Sequence, residues 1–278
     1  MDTIELVIPV EEARHETLIA RLEEYGFNGF QQEDDVLKAY IATDAWSHGK
    51  SQYVKSWLQR QGVAGRVEER RIQPENWNAL WEQSIEPITV GPFVVKPTWA
   101  APPPDAGDRH VLEIDPKMSF GTGYHESTRL VLRFLPDLVR PGARVLDAGT
   151  GTGILAIAAV RLGAGSVLAF DVSEWAEANA RENLRLNGVA DRVEVRLGTI
   201  DVVPEAGFDL ILANIERDPL IELLPAFAEK LAGGGRVVLA GLTLDDQPRM
   251  REAFAAHGFA VERDATENEW WAVVVGKR

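Results

Sequence analysis

Cysteine is absent from all 278 residues, and that absence excludes disulfides, thiolate metal sites and a thiol nucleophile together. Histidine is sparse: His15, His48, His110, His125 and His257 stand apart without metal-ligand spacing, so no metal is expected. No apolar run approaches the ~18 residues of a membrane-crossing helix, and no basic start precedes an apolar stretch, so a cytoplasmic protein without a membrane partner is expected. Positive charge is also short, with 29 Lys and Arg against 43 Asp and Glu, a net charge of −14. Such a surface repels phosphate backbones and tolerates a basic partner. The nearest basic cluster, Arg66-Val-Glu-Glu-Arg-Arg71, is interrupted by its own glutamates. Nucleic acid is therefore disfavoured as a direct partner. No internal repeat is present.

What the chain does have is glycine where a strand becomes a helix. Arg144-Val-Leu-Asp147 is short and apolar enough for a buried strand, and Gly149, Gly151 and Gly153 precede the alanine-rich helical stretch that opens at Ile154. Glycines at such a turn let the backbone approach a ligand closely. A second apolar strand, Ser166-Val-Leu-Ala-Phe, ends in Asp171. That acid lies about 20 residues beyond the glycines, where a doubly wound fold sets a carboxylate on a ribose diol. The pattern holds a nucleoside, and two classes compete. A dinucleotide would rest its pyrophosphate on the helix N-terminus. Asp147, two residues before the first glycine, would repel it, and Gly-x-Gly-x-Gly differs from the dinucleotide Gly-x-Gly-x-x-Gly. S-adenosylmethionine carries an ammonium and a sulfonium and no phosphate, which suits both acids. It is the expected cofactor.

Periodicity predicts the organisation. Residues 1–72 read β-α-β-β-α-β, with strands over 3–8, 30–33, 36–41 and 66–72 and helices over 11–24 and 51–61. This is the ferredoxin-like split unit, expected here to recognise a substrate. Residues 73–100 form a connection, in which Pro74 opens a helix that stacks Trp77 and Trp81 one turn apart. Pro87, Gly91, Pro92 and Pro97 then impose short extended pieces. Residues 101–278 alternate strand and helix from 144 onward and end in two strands, 259–263 and 270–275, with no long helix between them. The fold class expected is α/β: a class I methyltransferase doubly wound sheet with a terminal antiparallel hairpin, preceded by the small ferredoxin-like α+β domain.

Two further motifs fall where such sheets bind ligands. Met118-Ser-Phe-Gly-Thr-Gly-Tyr-His-Glu-Ser-Thr-Arg129 precedes the first helix of the large domain, and its Thr122, Ser127 and Thr128 offer hydroxyls for capping or ligand bonds. Ala213-Asn-Ile215 follows the strand Leu210-Ile-Leu at a carboxyl end. The Asn214 amide oxygen can accept a hydrogen bond from an amine in line with a methyl sulfonium, while an Asx turn is the structural alternative. Methyl transfer of this kind is an in-line displacement that needs alignment more than a covalent intermediate. Desolvation and the adjacent sulfonium favour the neutral amine, so a dedicated base is optional. Asn214 is the expected catalytic acceptor, with His125 or Glu126 as candidate proton relays. An adenine-N6 enzyme would need Pro-Pro and an aromatic after the asparagine to stack a flipped base, and Ile215-Glu-Arg217 cannot do this. Methylation of some other amine, and nucleoside binding without turnover, both stay open on the residues alone.

Trp77-x-x-x-Trp81, Phe120-Gly-Thr-Gly-x-His-x-Ser-Thr128, Val145-Leu-Asp-x-Gly-Thr-Gly-x-Gly-Ile-Leu155, Ala213-Asn-Ile215, Gly241-Leu-x-x-x-Asp-Gln247 and Glu269-Trp270 occur in that order. Over nearly the whole chain they resemble the ribosomal protein L-eleven methyltransferases. The resemblance implies a substrate-recognising N-terminal domain, a linker helix and a catalytic domain. It also implies trimethylation of lysine ε-amines and of the N-terminal α-amine of that large-subunit ribosomal protein. It places S-adenosylmethionine contacts on Thr128, Gly149, Asp171 and Asn214, with Phe120 and Thr122 nearby; the glycine-turn reading adds Asp147 and Gly151. The family usually has proline after the histidine of the Phe-Gly-Thr-Gly motif, where this chain has Glu126. A monomer is expected.

Overall fold

A computed structural model describes residues 2–63, 65–72, 85–104, 106–117 and 119–278. The chain forms two compact units, Met1–Trp77 and Asn78–Arg278. The helix expected around Trp77 and Trp81, and Met118 of the loop motif, lie outside the described residues.

In the first unit the order is β1 (Thr3–Pro9), α1 (His15–Glu24), β2 (Gly29–Glu33), β3 (Val36–Ala42), α2 (His48–Arg60) and β4 (Glu68–Ile72). The antiparallel sheet runs β2-β3-β1-β4, the ferredoxin-like arrangement. Alternation along β1 sends Ile4, Leu6 and Ile8 into one core with Leu37, Ala39 and Ile41 of β3, Leu18 and Leu22 of α1 and Val54 and Leu58 of α2. The first helix opens as a 3-10 turn over Glu12–Arg14. Immediately after it, buried His15 bonds through Nε2 to the Val10 carbonyl oxygen at 3.0 Å. The second helix starts three residues before the expected 51, because Ser47 accepts the Lys50 N–H at 3.2 Å and caps it.

The second unit is built on a seven-stranded sheet. Its strands are β8 (Arg144–Ala148), β9 (Ser166–Asp171), β10 (Val193–Leu197), β11 (Phe208–Asn214), β12 (Leu231–Thr243), β13 (Phe259–Glu267) and β14 (Trp270–Lys277). Its helices are α3 (Glu126–Leu138), α4 (Ile154–Arg161), α5 (Glu174–Leu186), α6 (Arg217–Lys230) and α7 (Gln247–Ala256). The order β10-β9-β8-β11-β12-β14-β13 is parallel through β12, and β14 runs antiparallel to both its neighbours. The class I methyltransferase sheet with its terminal hairpin is therefore present. Both faces are covered: Val145, Leu210, Leu212 and Val238 enter one core, and Leu146, Ile211, Ala213 and Leu239 the other. That explains why the middle strands read as continuous apolar runs.

The short extended pieces expected around residues 87–97 pair into a second, three-stranded sheet with a strand that was not expected. Strands β5 (Ile88–Val90) and β6 (Phe93–Lys96) form a hairpin, and β6 pairs in parallel with β7 (His110–Glu113). Part of the stretch read as a connection thus belongs to the same compact unit as the main sheet. The other edge of β7 is met by side chains from α5. Asn187 accepts the Glu113 N–H at 3.0 Å and donates to the Glu113 carbonyl at 2.7 Å. Asn183 accepts the Asp115 N–H at 3.0 Å and donates to the Thr152 carbonyl at 2.9 Å, while Asn179 donates to the Asp115 carbonyl at 2.9 Å. Four-residue spacing puts the three asparagines on one helix face, where they do the work of a neighbouring strand. Replacing Asn183 by Leu should lower unfolding free energy by roughly 2–4 kcal/mol, since the shielded Asp115 N–H and Thr152 carbonyl would each lose a partner at a cost of about 1–3 kcal/mol. Urea titration should show a lower midpoint at unchanged slope, and an unchanged midpoint would contradict the assignment.

Candidate active site

The site grows from the carboxyl ends of β8, β9 and β11. Asp147 pairs in register with Ala169 of β9 and Leu212 of β11, so the middle of the sheet buries it to 1 % exposure. Beyond it the backbone turns through Gly149 and Gly151 at φ +73° and +55°, a region that disfavours any side chain. Space forbids one as well. A Cβ on Gly149 would overlap the Ile215 side chain, and one on Gly151 would overlap the Phe120 carbonyl oxygen.

Asp171 ends β9 and is locked by two backbone donors: its Oδ2 accepts the Gly151 N–H at 2.9 Å and its Oδ1 the Ser173 N–H at 3.0 Å. Each oxygen keeps acceptor capacity for a ligand hydroxyl. Beside it stand Val172, 71 % exposed, and Leu197, 43 % exposed, the latter in register with Asp171. These apolar lips escaped the sequence reading. The signal was their position at adjacent carboxyl strand ends.

Among the described residues five buried side-chain polar atoms lack partners, on His15, Tyr25, Asp147, Asn179 and Asn214, and two of them, Asp147 Oδ1 and Asn214 Oδ1, stand at the carboxyl ends of β8 and β11. Asp147 accepts the Thr150 hydroxyl on Oδ2 at 2.7 Å, while its Oδ1 has no hydrogen bond. Burial pushes this carboxyl up to about 7, with the negative charge of Asp171 adding to the rise and Thr150 opposing it. Asn214, the last residue of β11, donates through Nδ2 to the hydroxyl oxygen of fully buried Thr128 at 3.2 Å, and its Oδ1 is likewise unpartnered. An unmade bond at a buried polar atom is costly. Two such acceptors around one bare turn fit a ligand with a cationic end and hydrogen-bond donors, and S-adenosylmethionine has both.

The Phe-Gly-Thr-Gly loop rests on the same turn. The Phe120 carbonyl accepts the Thr152 N–H at 2.9 Å, and the Thr152 hydroxyl donates to the Gly121 carbonyl at 2.6 Å. Thr122 accepts the Tyr124 N–H on its hydroxyl oxygen at 3.3 Å. His125 caps α3: its Nδ1 accepts the Ser127 N–H at 3.2 Å and lies 2.8 Å from the Ser127 hydroxyl oxygen, a network that leaves the ring proton on Nε2. Its ring packs edge-on against half-exposed Phe120 at 5.1 Å and Trp270 at 4.3 Å. An open cavity of about 360 Å³ is lined by residues 119–122 and 124–126. The sequence-predicted residues thus fall into three groups: Asp147, Gly149, Gly151 and Asp171 at the turn, Asn214 with Thr128 at the next strand end, and Phe120, Thr122 and His125 on the loop. Among the described residues no cluster of three or more His, Asp or Glu could hold a metal ion, and no helix is long and apolar enough to cross a membrane.

The family model for Ribosomal protein L11 methyltransferase (PrmA) matches residues 2–278. The chain belongs to that family. A Ribosomal protein L11 methyltransferase of Pelobacter propionicus is 38% identical over 252 residues, covering 86% of this chain and 80% of that one. One from Chlorobaculum parvum is 34% identical over 287 residues, covering 98% and 96%. Among solved structures, the ribosomal protein L11 methylase of Lactobacillus delbrueckii subsp. bulgaricus superposes with a TM-score of 0.65 at 30% identity, spanning 70% of this chain and 100% of that one. The chain is an S-adenosylmethionine-dependent methyltransferase of the class I fold.

Asp147 gives a sign-specific test of the site's electrostatics. Its carboxyl titrates near about 7 when folded and near ~3.9 when unfolded. Between those limits the unfolded chain has lost a proton that the folded chain keeps, so this group lowers stability as pH rises from about 4 to about 7. Asp147→Asn removes that slope. Urea titrations without cofactor should find the variant gaining on the native protein between pH 5 and about 7; a constant difference would mean that the carboxyl is ionised throughout.

Proposed function

We propose that this methyltransferase modifies amines of the large-subunit ribosomal protein L11, the lysine ε-amines and the N-terminal α-amine. The observation that carries the reading is the buried, unpartnered Oδ1 of Asn214 at the carboxyl end of β11, its amide oriented by Thr128. An acceptor without a partner awaits a donor, and an attacking amine brings N–H groups and a lone pair that needs aiming.

S-adenosylmethionine supplies a methyl group on an electrophilic sulfonium. Asp171, fixed by the Gly151 and Ser173 amides, would hold the ribose diol, with Val172 and Leu197 against the base. Gly149 and Gly151 let backbone approach, and Asp147 would answer the ammonium. Phe120, Thr122 and Thr128 complete the binding set. Asn214 accepts a hydrogen from the amine and so points its lone pair along the line of transfer. Free lysine titrates near ~10.4 and an α-amine near ~8. The positive charge of the neighbouring sulfonium favours the neutral form that can attack. The departing proton has two routes, water or His125. The histidine can accept it on Nδ1 only by releasing the Ser127 cap, which makes water the simpler acceptor. Residues 1–72 would select the protein substrate, helped by their excess of acids over bases, residues 73–100 would link, and residues 101–278 would carry the chemistry. The enzyme would act as a cytoplasmic monomer without touching nucleic acid. A different basic protein or a small amine is the competing substrate.

The decisive experiment supplies methyl-labelled S-adenosylmethionine to the enzyme with a ribosomal extract and maps the label. Label confined to amines of L11 supports the proposal; label on nucleic acid, on another protein or on nothing overturns it. In the same assay Asn214→Ala should keep most of its cofactor affinity and lose at least about tenfold in single-turnover rate, about 1.4 kcal/mol of transition-state stabilisation. A wild-type rate would transfer the orienting role to a backbone carbonyl.

A further inference from the structure

Three consecutive residues of the cavity loop are held from one turn near the far end of the chain. Strands β13 and β14 meet at Asn268, whose φ of +54° lies in the left-handed region that asparagine tolerates. Asn268 donates through Nδ2 to Glu126 Oε1 at 2.9 Å. Trp270 packs edge-on against the His125 ring at 4.3 Å. Glu267 Oε1 receives Arg129 Nε at 2.8 Å and Nη2 at 2.6 Å, and the same guanidinium donates through Nη1 to the Tyr124 carbonyl. Arg133 takes the other Glu267 oxygen at 2.6 Å. Glu126 and His125 are thus met directly by Asn268 and Trp270, and Tyr124 indirectly through Arg129, which Glu267 holds. The other half of the loop, Phe120 and Gly121, is fixed by Thr152 of the glycine turn. Between these two the Tyr124 hydroxyl donates to the Glu86 carbonyl, so the loop has three footings: the glycine turn, the segment before β5 and the hairpin.

We infer that the hairpin turn Glu267–Trp270 is the positioning element of the amine cavity, and that the Asn268–Glu126 contact sets the wall against which the amine is bound. This rests on the amine reading of the proposed function and adds that the cavity beside Phe120 takes the amine, with Phe120 and Thr122 as the wall it shares with the cofactor. The division of footings gives a directional consequence: disturbing the hairpin contact should weaken amine binding and spare the cofactor. Asn268 acts on the cavity through Glu126, which itself lines it. The charges facing the pair are Arg129, whose Nη2 lies 3.4 Å from Glu126 Oε1, and behind it Glu267 and Arg133.

Asn268→Asp sets a carboxylate opposite Glu126. It should raise the KM for a lysine-containing substrate about tenfold, with kcat and the dissociation constant for S-adenosylmethionine changed less than about twofold. The reciprocal swap, Glu126→Gln with Asn268→Asp, rebuilds an amide–carboxylate pair with the roles exchanged at unchanged net charge. It should bring KM back to within about threefold of the native value. A purely structural turn would not be rescued by exchanging partners. Backbone amide exchange over residues 119–127 reads the same clamp without any substrate: faster in Asn268→Asp, near native in the swap. If Asn268→Asp does not fold, Asn268→Gly keeps the positive φ without the amide, and its loop amides should also exchange faster. Native KM and native loop exchange in the single variants, or a swap that rescues neither, would overturn the inference. A native enzyme that methylates no amine would instead remove the amine reading, and the exchange measurement would still decide the clamp.

Discussion

The structure depends on a stretch of backbone that must stay bare. After β8 the chain turns through Gly149 and Gly151 at positive φ, and three other segments close upon it: the Phe120 carbonyl, the Ile215 side chain and the Asp171 carboxylate. Each comes from a different element of the second unit, so the turn is the joint where those elements meet. A side chain at either glycine would have to take a disfavoured backbone conformation and displace a neighbour at the same time. The loop that lines the open cavity is tied to the same atoms, because Thr152 bonds Phe120 and Gly121.

Around this joint the protein holds polar groups at a cost to stability. Asp147 sits dehydrated with one oxygen unpartnered, and Asn214 is buried with its amide oxygen unused. Neither arrangement helps the fold; both leave acceptors aimed at the same end of the sheet. Strain of this kind concentrates where a ligand completes the structure. The contrast with Asn183 and Asn187 is instructive, since those buried amides are satisfied by the backbone around β7 and serve construction.

Much of the fold could be read from residue order. The alternation in β1, the continuous apolar run of β11 and the strand pair that closes the chain each announced the layer they occupy, because burial on one face or two is written into period and composition. Asp171 and the glycines were legible for the same reason: a strand end followed by glycine has few other uses. The pairing of the edge sheet β5–β7 and its third strand were not, since the strands are only three or four residues long and the far edge is met by asparagines that look, in sequence, like a solvated helix face. Val172 and Leu197 were missed because exposure cannot be seen before the strands are in register.

By itself the sequence determined the class of sheet, the glycine turn and the acid that follows it, and hence a nucleoside with a cationic end, because these features are local and their spacing is short. Tertiary structure alone decided which polar atoms remain unpartnered. Asn214 is oriented as an available acceptor by Thr128, 86 positions earlier, which accepts a hydrogen bond from its amide nitrogen. Glu126 becomes a tether only because Asn268, 142 positions later, turns toward it. Hydrogen-bond satisfaction is a property of atoms brought together across the chain, and no reading of neighbours in sequence contains it.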